Sequence, residues 1–254
     1  MEAELSSPLS DQLLAMGDDE LILGHRNSEW CGFAPILEED IAFANIALDE
    51  ISHATLWYTL LAELLAEDPE TYPDRLVYER EPGGFRNIQL VELPKGDWAF
   101  SILRQFFFDA AEAVRLTALA ESRYRPLSDV AVKIRKEEVY HYRHSLAWVR
   151  RLGHGTEESH HRLQTALNVI WPLTLQLFSP LPGEAPLVEA GFIPPSGITR
   201  TVWEERVRPT LEEADLVPPE GQGTIPERRE HTAQFKVLVA ELQSVARLDP
   251  RAKW

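Results

Sequence analysis

A chain of 254 residues with 41 Asp and Glu against 25 Lys and Arg carries a net charge of −16, with 44% apolar residues and 9% aromatics. That length suits one domain, or one domain with an appendage, large enough to fold without disulfides or a structural metal, and the single cysteine, Cys31, excludes an internal disulfide. So acidic a chain, with no Lys/Arg cluster beyond two or three residues, lacks the footprint that binds nucleic acid, and no segment nears the roughly 18 apolar residues of a membrane span. Glu2 and Glu4 stand where a secretory signal would be positive, so the expectation is a soluble cytoplasmic protein.

No convincing period-2 segment is found, whereas helical stripes recur through the first 180 residues, so the fold class is all-α. A first helix is expected from about Ser10, as N-cap, to about Arg26 or beyond, ending before the loop Cys31-Gly32-Phe33-Ala34-Pro35. The second opens on Glu38-Glu39-Asp40, acids that favour the positive end of a helix dipole, and continues to about Ala66. From Asp68 to Gly96 repeated prolines and glycines read as a long connection rather than a core element. Asp97 caps a third helix, Trp98 to about Ser122. A fourth runs from Leu127 or Ser128 to about Arg151, and a fifth opens at Thr156 and ends near Phe178, kinked by Pro172.

Residues 179–226 hold nine of the eighteen prolines and one expected helix, about Arg200 to Ala214, before a last amphipathic helix from about Glu227 to Ala246. Short link, long link, short link is the connectivity of a ferritin-like helical bundle, two helical hairpins joined by a long crossover. Residues 1–178 are thus read as the bundle with its fifth helix. Residues 179–254 are read as a Pro-rich and helical extension packed on the bundle or on a partner subunit.

A repeated pair carries the chemistry: Glu50-Ile51-Ser52-His53 on the second helix and Glu138-Val139-Tyr140-His141 on the fourth. Each is Glu-x-x-His, whose spacing puts both side chains on one helix face. The faces are apolar, running Phe43, Ile46, Glu50, His53, Trp57, Leu60 on one helix and Leu127, Ala131, Ile134, Glu138, His141, Ser145 on the other. Glu20 lies in the inward stripe of the first helix, 30 residues before Glu50, and Asp109 in that of the third, 29 residues before Glu138. Buried carboxylates and imidazoles need pairing, protonation or a cation, and a di-iron site uses two Glu-x-x-His helices plus one carboxylate from each of the other two.

Two readings of these six stay open: metal ligands, or a buried network of salt bridges and hydrogen bonds in place of metal. Asp109, one methylene shorter than Glu, and Lys133, Arg135 and Lys136 just before Glu138 favour the second. His144 is expected to cap or pack, His160-His161 to be solvated, and Cys31 lacks an adjacent base that would make it a nucleophile. Phe106-Phe107-Phe108 spans too wide an arc for one core face, so it is buried on several sides or meets another chain.

The stretch from Leu23-Gly24-His25-Arg26-Asn27-Ser28-Glu29-Trp30-Cys31-Gly32 through Leu37-Glu38-Glu39-Asp40-Ile41-Ala42 to Ala44-Asn45-Ile46-Ala47-Leu48-Asp49-Glu50 resembles the PaaC family, the C component of the multicomponent phenylacetyl-CoA epoxidase. Phe85-Arg86-Asn87, Arg104-Gln105-Phe106, Lys136-Glu137-Glu138-Val139-Tyr140-His141, Arg151-Leu152-Gly153, Gly155-Thr156-Glu157-Glu158 and the final Trp254 extend the resemblance over nearly the whole chain. Phe33 stands where many members have His and Ser52 where many have Gly.

The resemblance implies a ferritin-like fold and a role in aerobic phenylacetate degradation. The family's complex epoxidises the aromatic ring of phenylacetyl-CoA with oxygen, drawing electrons from NADPH through a reductase subunit with FAD and iron–sulfur. Its di-iron chemistry belongs to a sister protein, PaaA, while PaaC serves as structural partner and has generally lost its iron. Both Glu-x-x-His pairs survive here, whereas some members lack the first, which keeps iron open for this chain.

The expected function is therefore a structural, non-catalytic subunit with no cofactor and no catalytic residue of its own. Its partners would be PaaA and the small and reductase subunits, with a homodimer the expectation for the chain alone. The alternative is a di-iron oxygenase or ferroxidase using Glu20, Glu50, His53, Asp109, Glu138 and His141. A ferritin storage cage is disfavoured, because a closed shell would have to accommodate the decoration after Ser179.

Overall fold

The computed structural model describes residues 3–221 and 225–249. Among them there is no strand, and the α-helices in chain order are α1 (Ala3–Ser28), α2 (Leu37–Leu65), α3 (Tyr72–Tyr78), α4 (Gln89–Glu92), α5 (Trp98–Leu119), α6 (Arg125–Gly153), α7 (Glu157–Thr174), α8 (Glu184–Glu189), α9 (Ser196–Glu213), α10 (Ala233–Leu242) and α11 (Ser244–Leu248). Hairpin α1–α2, a long crossover, then hairpin α5–α6 is the ferritin-like order. No described helix is long and apolar enough to cross a membrane.

The chain divides into two compact units, residues 1–94 with 227–254, and residues 95–226. In the first, α1 packs along α2 over a core of Leu13, Met16, Phe43, Ile46, Trp57 and Leu61. Gly24 lets the two helices approach closely: a Cβ there would stand 2.9 Å from the Ala47 carbonyl oxygen and 3.0 Å from Glu50 Cβ. α2 begins behind Glu38, Glu39 and Asp40 and stops at Ala66 in left-handed conformation, whose N–H is satisfied by carbonyls of the last turn.

α1 starts at Ala3, well before the expected Ser10. Ser10 does not cap: its hydroxyl donates back to the Ser6 carbonyl inside the helix, and Pro8 lies within the helix, where its missing N–H removes one i→i−4 bond. The expectation that residues 68–96 contribute nothing to the core is also corrected. Leu76 and Val77 of α3, and Phe85, Ile88, Leu90 and Val91 around α4, are buried, because short pieces between prolines still bring apolar side chains inward. The final helix falls into two, α10 and α11, at Gln243, whose buried amide donates to the Val77 and Arg80 carbonyls.

In the second unit α5 packs on α6, with α7 and α9 against α5. Asp97 caps α5 by accepting from the Phe100 N–H, and Thr156 and Ser159 form a capping box on α7. α7 stays α-helical through Pro172 to Thr174 and gives way to a 3-10 turn over Leu175–Phe178. Beyond it stand two helices where one is expected from the sequence: α8 follows a left-handed Gly183, and α9 inserts Trp203. That indole is fully buried, stacks on Trp171, meets Phe107 and Phe178, and donates to the Phe107 carbonyl at 3.1 Å. Phe106, Phe107 and Phe108 are all buried, which decides between the two readings of that run. Trp254 lies outside the described residues.

Candidate metal centre

Each unit carries one carboxylate and imidazole triad. In the first, Glu20 comes from α1, and Glu50 and His53 from one face of α2; all three are buried and offer ligand atoms within 4.8 Å of one another. His53 Nδ1 stands 3.8 Å from Glu20 Oε2. The triad forms because Glu20 shares the α1 stripe of Leu13, Met16 and Leu23, while Glu50 and His53 occupy the α2 stripe between Ile46 and Trp57.

In the second unit Asp109 comes from α5, and Glu138 and His141 from α6, again all buried. Here the groups are turned on one another. His141 Nδ1 is 2.9 Å from Glu138 Oε1. Asp109 Oδ1 accepts from Gln105 Nε2 at 2.6 Å, and Oδ2 accepts from Ser145 Oγ at 2.6 Å. Burial pushes the Asp109 carboxyl well above the usual carboxylate range, with the Glu138 charge adding to it, while His141 and the two hydrogen bonds oppose the shift.

Four carboxylates and two imidazoles, three donors in each unit, are oxygen and nitrogen ligands of the kind iron takes in ferritin-like proteins. The chemistry of the set fits iron. In the second unit His141 also pairs with Glu138, and Gln105 and Ser145 serve Asp109.

Lys133, Arg135 and Lys136 are exposed, so they do not join the network around Glu138, contrary to their expected part in it. Glu138 occupies the inward line of α6 and those three point to the other side of the helix. His144 stacks on Tyr140, His161 is exposed, and Cys31 is an exposed free thiol.

A second buried polar system in the first unit lies beyond what the sequence suggests. Asp18 holds Arg80, the Tyr58 hydroxyl and the Arg86 N–H; Asp19 holds the Ile88 N–H and Arg228; Glu92 holds Asn87, His231 and the Thr232 N–H. It pins the crossover and the segment 227–232 to α1. The only signal is Asp18-Asp19-Glu20, three acids in succession inside an otherwise apolar stretch.

Comparison with known proteins agrees with this architecture. The family described as phenylacetic acid catabolic protein, PaaA_PaaC, matches residues 1–254. The chain is 38% identical over 248 residues to the C component of the 1,2-phenylacetyl-CoA epoxidase of Escherichia coli (strain K12), covering 97% of this chain and 99% of the relative. It is 27% identical over 157 residues to the A component of the same epoxidase from the same organism, covering 62% of this chain and 49% of that one. A full-length family match and end-to-end similarity to a C component thus agree with the helical order and the paired Glu-x-x-His helices, and the chain belongs to the phenylacetic acid catabolic protein family.

Proposed function

We propose that this chain is the structural, non-catalytic subunit of a phenylacetyl-CoA epoxidase, pairing with the homologous di-iron protein that carries the oxygen chemistry. The observation that carries this reading is the end-to-end similarity to a C component, against a partial similarity to an A component. Shared ancestry with the A component explains why a non-catalytic chain keeps Glu20, Glu50, His53, Asp109, Glu138 and His141: they are the inherited ligand set of the fold, three on each hairpin. The Glu138–His141 contact and the two hydrogen bonds to Asp109 give those groups a structural use. Electrons from NADPH, and the FAD and iron–sulfur centres that relay them, belong to the other components of such a complex.

The second reading, a di-iron oxygenase or ferroxidase, is favoured by the intact Glu-x-x-His pairs. Iron held by the Glu-x-x-His ligands of a hairpin would supply oxygen activation. The chain's own part would be to hold the ligands in a water-poor interior, with Gln105 and Ser145 orienting Asp109.

Anaerobic titration of the purified full-length chain with ferrous iron, followed by iron counting and oxygen uptake with a reductant, separates the two. The structural reading expects substoichiometric iron and no turnover. Near-stoichiometric iron with turnover would sink it.

A further inference from the structure

Arginines gather on one loop of the first unit. Arg80 lies over the Phe85 ring at 4.0 Å and donates to the Gly84 carbonyl, and Arg86 follows on the same loop. Arg228 donates to the Arg86 carbonyl at 3.0 Å and brings its neighbour Arg229 close enough for the two charges of Arg86 and Arg229 to act on one another. Asp18 takes Arg80 and Asp19 takes Arg228. Among the described residues no carboxylate forms an ion pair with Arg86 or Arg229, in a chain where acids outnumber Lys and Arg by 41 to 25.

Donors are left over as well. Arg80 uses all three guanidinium nitrogens, on the Leu76 and Gly84 carbonyls and on Asp18. Arg86 uses Nη1 alone, on the Gly83 and Phe85 carbonyls, and Arg228 uses Nη1 alone, on Asp19 and the Arg86 carbonyl. The Nε atoms of Arg86 and Arg228 are buried with no acceptor among the described residues. Each of these two side chains thus keeps its Nε–Nη2 edge unused, the edge on which a guanidinium grips two oxygens side by side. Burial and then the Arg229 charge lower the Arg86 pKa against the raising effect of Asp11 and Asp18, so the field at Arg86 favours one more negative charge. A Cβ on Gly83 would meet nothing within 4 Å, which leaves that side of the loop open. A carboxylate offers two oxygens in one plane, enough for a single edge, whereas two edges and an exposed third cation suit a tetrahedral oxyanion.

We propose that Arg86, Arg228 and Arg229 form a binding site for a phosphate group, free or carried as a phosphomonoester, which fastens the segment 227–232 to the crossover. The site stands independently of the proposed function.

Isothermal titration of the full chain with inorganic phosphate and with AMP, each against sodium chloride of matched ionic strength, tests it. The expected result is saturable binding that Arg86→Gln and Arg229→Gln each weaken at least about 10-fold, the worth of one hydrogen bond to a charged group, while Arg135→Gln on the exposed face of α6 leaves it unchanged. Tighter binding of AMP identifies a phosphomonoester as the ligand, and tighter binding of phosphate identifies the free ion. Bound phosphate should also slow amide exchange in 227–232. Arg229 is exposed, so Arg229→Gln keeps the test sound should Arg86→Gln fail to fold; in phosphate-free buffer it should melt at or above the parent, because it removes a like charge. Parent-like binding by Arg229→Gln, or an equal loss in Arg135→Gln, overturns the site, as does a parent that responds to phosphate and AMP no differently from chloride. Binding that leaves exchange in 227–232 unchanged overturns the fastening.

Discussion

Asp18 of α1 and Arg80, 62 residues apart in the chain, form a two-pronged pair: Arg80 Nη2 lies 2.5 Å from Asp18 Oδ1 and Nη1 lies 3.0 Å from Oδ2. The Tyr58 hydroxyl at 2.5 Å and the Arg86 N–H at 2.7 Å also donate to that carboxylate. Burial alone would lower the Arg80 pKa, but the Asp18 charge outweighs it and holds the guanidinium protonated, while burial and then Asp18 push the Tyr58 hydroxyl well above its ordinary value. Removing the carboxylate strands a nearly buried cation and two other donors. Asp18→Ala is expected to cost about 3–5 kcal/mol in urea unfolding, as breaking a buried ion pair does. A loss below about 1 kcal/mol would show that the pair does not anchor the crossover.

The triad of the second unit can be loosened one bond at a time. Ser145→Ala removes the donor on Asp109 Oδ2 and should cost about 1–3 kcal/mol, the penalty of a buried acceptor losing its partner. Glu138→Ala takes from His141 its 2.9 Å partner and should destabilise on the same scale. Thermal unfolding of the two variants checks both, and an unchanged melting temperature would contradict the structural use assigned to these groups.

Trp203 ties α9 to the second unit through Phe107, Trp171 and Phe178. Trp203→Ala empties a fully buried site and leaves the Phe107 carbonyl without its indole donor, so a loss of about 3–5 kcal/mol is expected. Limited proteolysis should then cut within 179–226 faster than in the parent. Cleavage at the parent rate would mean that the segment is held elsewhere.

His25 supplies a pH dependence. Burial, the largest influence, lowers its pKa from 6.5 despite the raising effect of Glu241 and Glu29. The native state therefore binds fewer protons than the unfolded chain once the pH falls below 6.5, and stability drops as the pH is lowered through the depressed native value. Urea midpoints between about pH 7.5 and 5 should fall more steeply for the parent than for His25→Gln. Parallel curves would remove His25 from the acid response.

The helices and the triads are legible because both follow a local period. Glu50 and His53, or Glu138 and His141, share a face by spacing alone, and the apolar residues flanking them at three- and four-residue steps tell which face turns inward. The Asp18, Asp19 and Glu92 system is not legible. Asp19 meets Arg228 across 209 residues and Glu92 meets His231 across 139, separations at which no periodic signal survives. The short helices α3, α4 and α8 are hidden for a related reason: a helix of one or two turns among prolines shows too few periods to stand out.

Sequence alone determined the all-α class, the order hairpin, crossover, hairpin, the six inward carboxylates and imidazoles, and the family, since each is written in residue spacing or in long matched motifs. Tertiary structure decided which charges those groups meet. Lys133, Arg135 and Lys136 precede Glu138 by a few residues yet face away, because a helix turns about 100° per residue and chain proximity is not spatial proximity. His141, three residues on, is the group that Glu138 touches. The Phe106-Phe107-Phe108 run stays open between core and interface until α6, α7 and α9 are seen around α5, which bury all three rings within the chain.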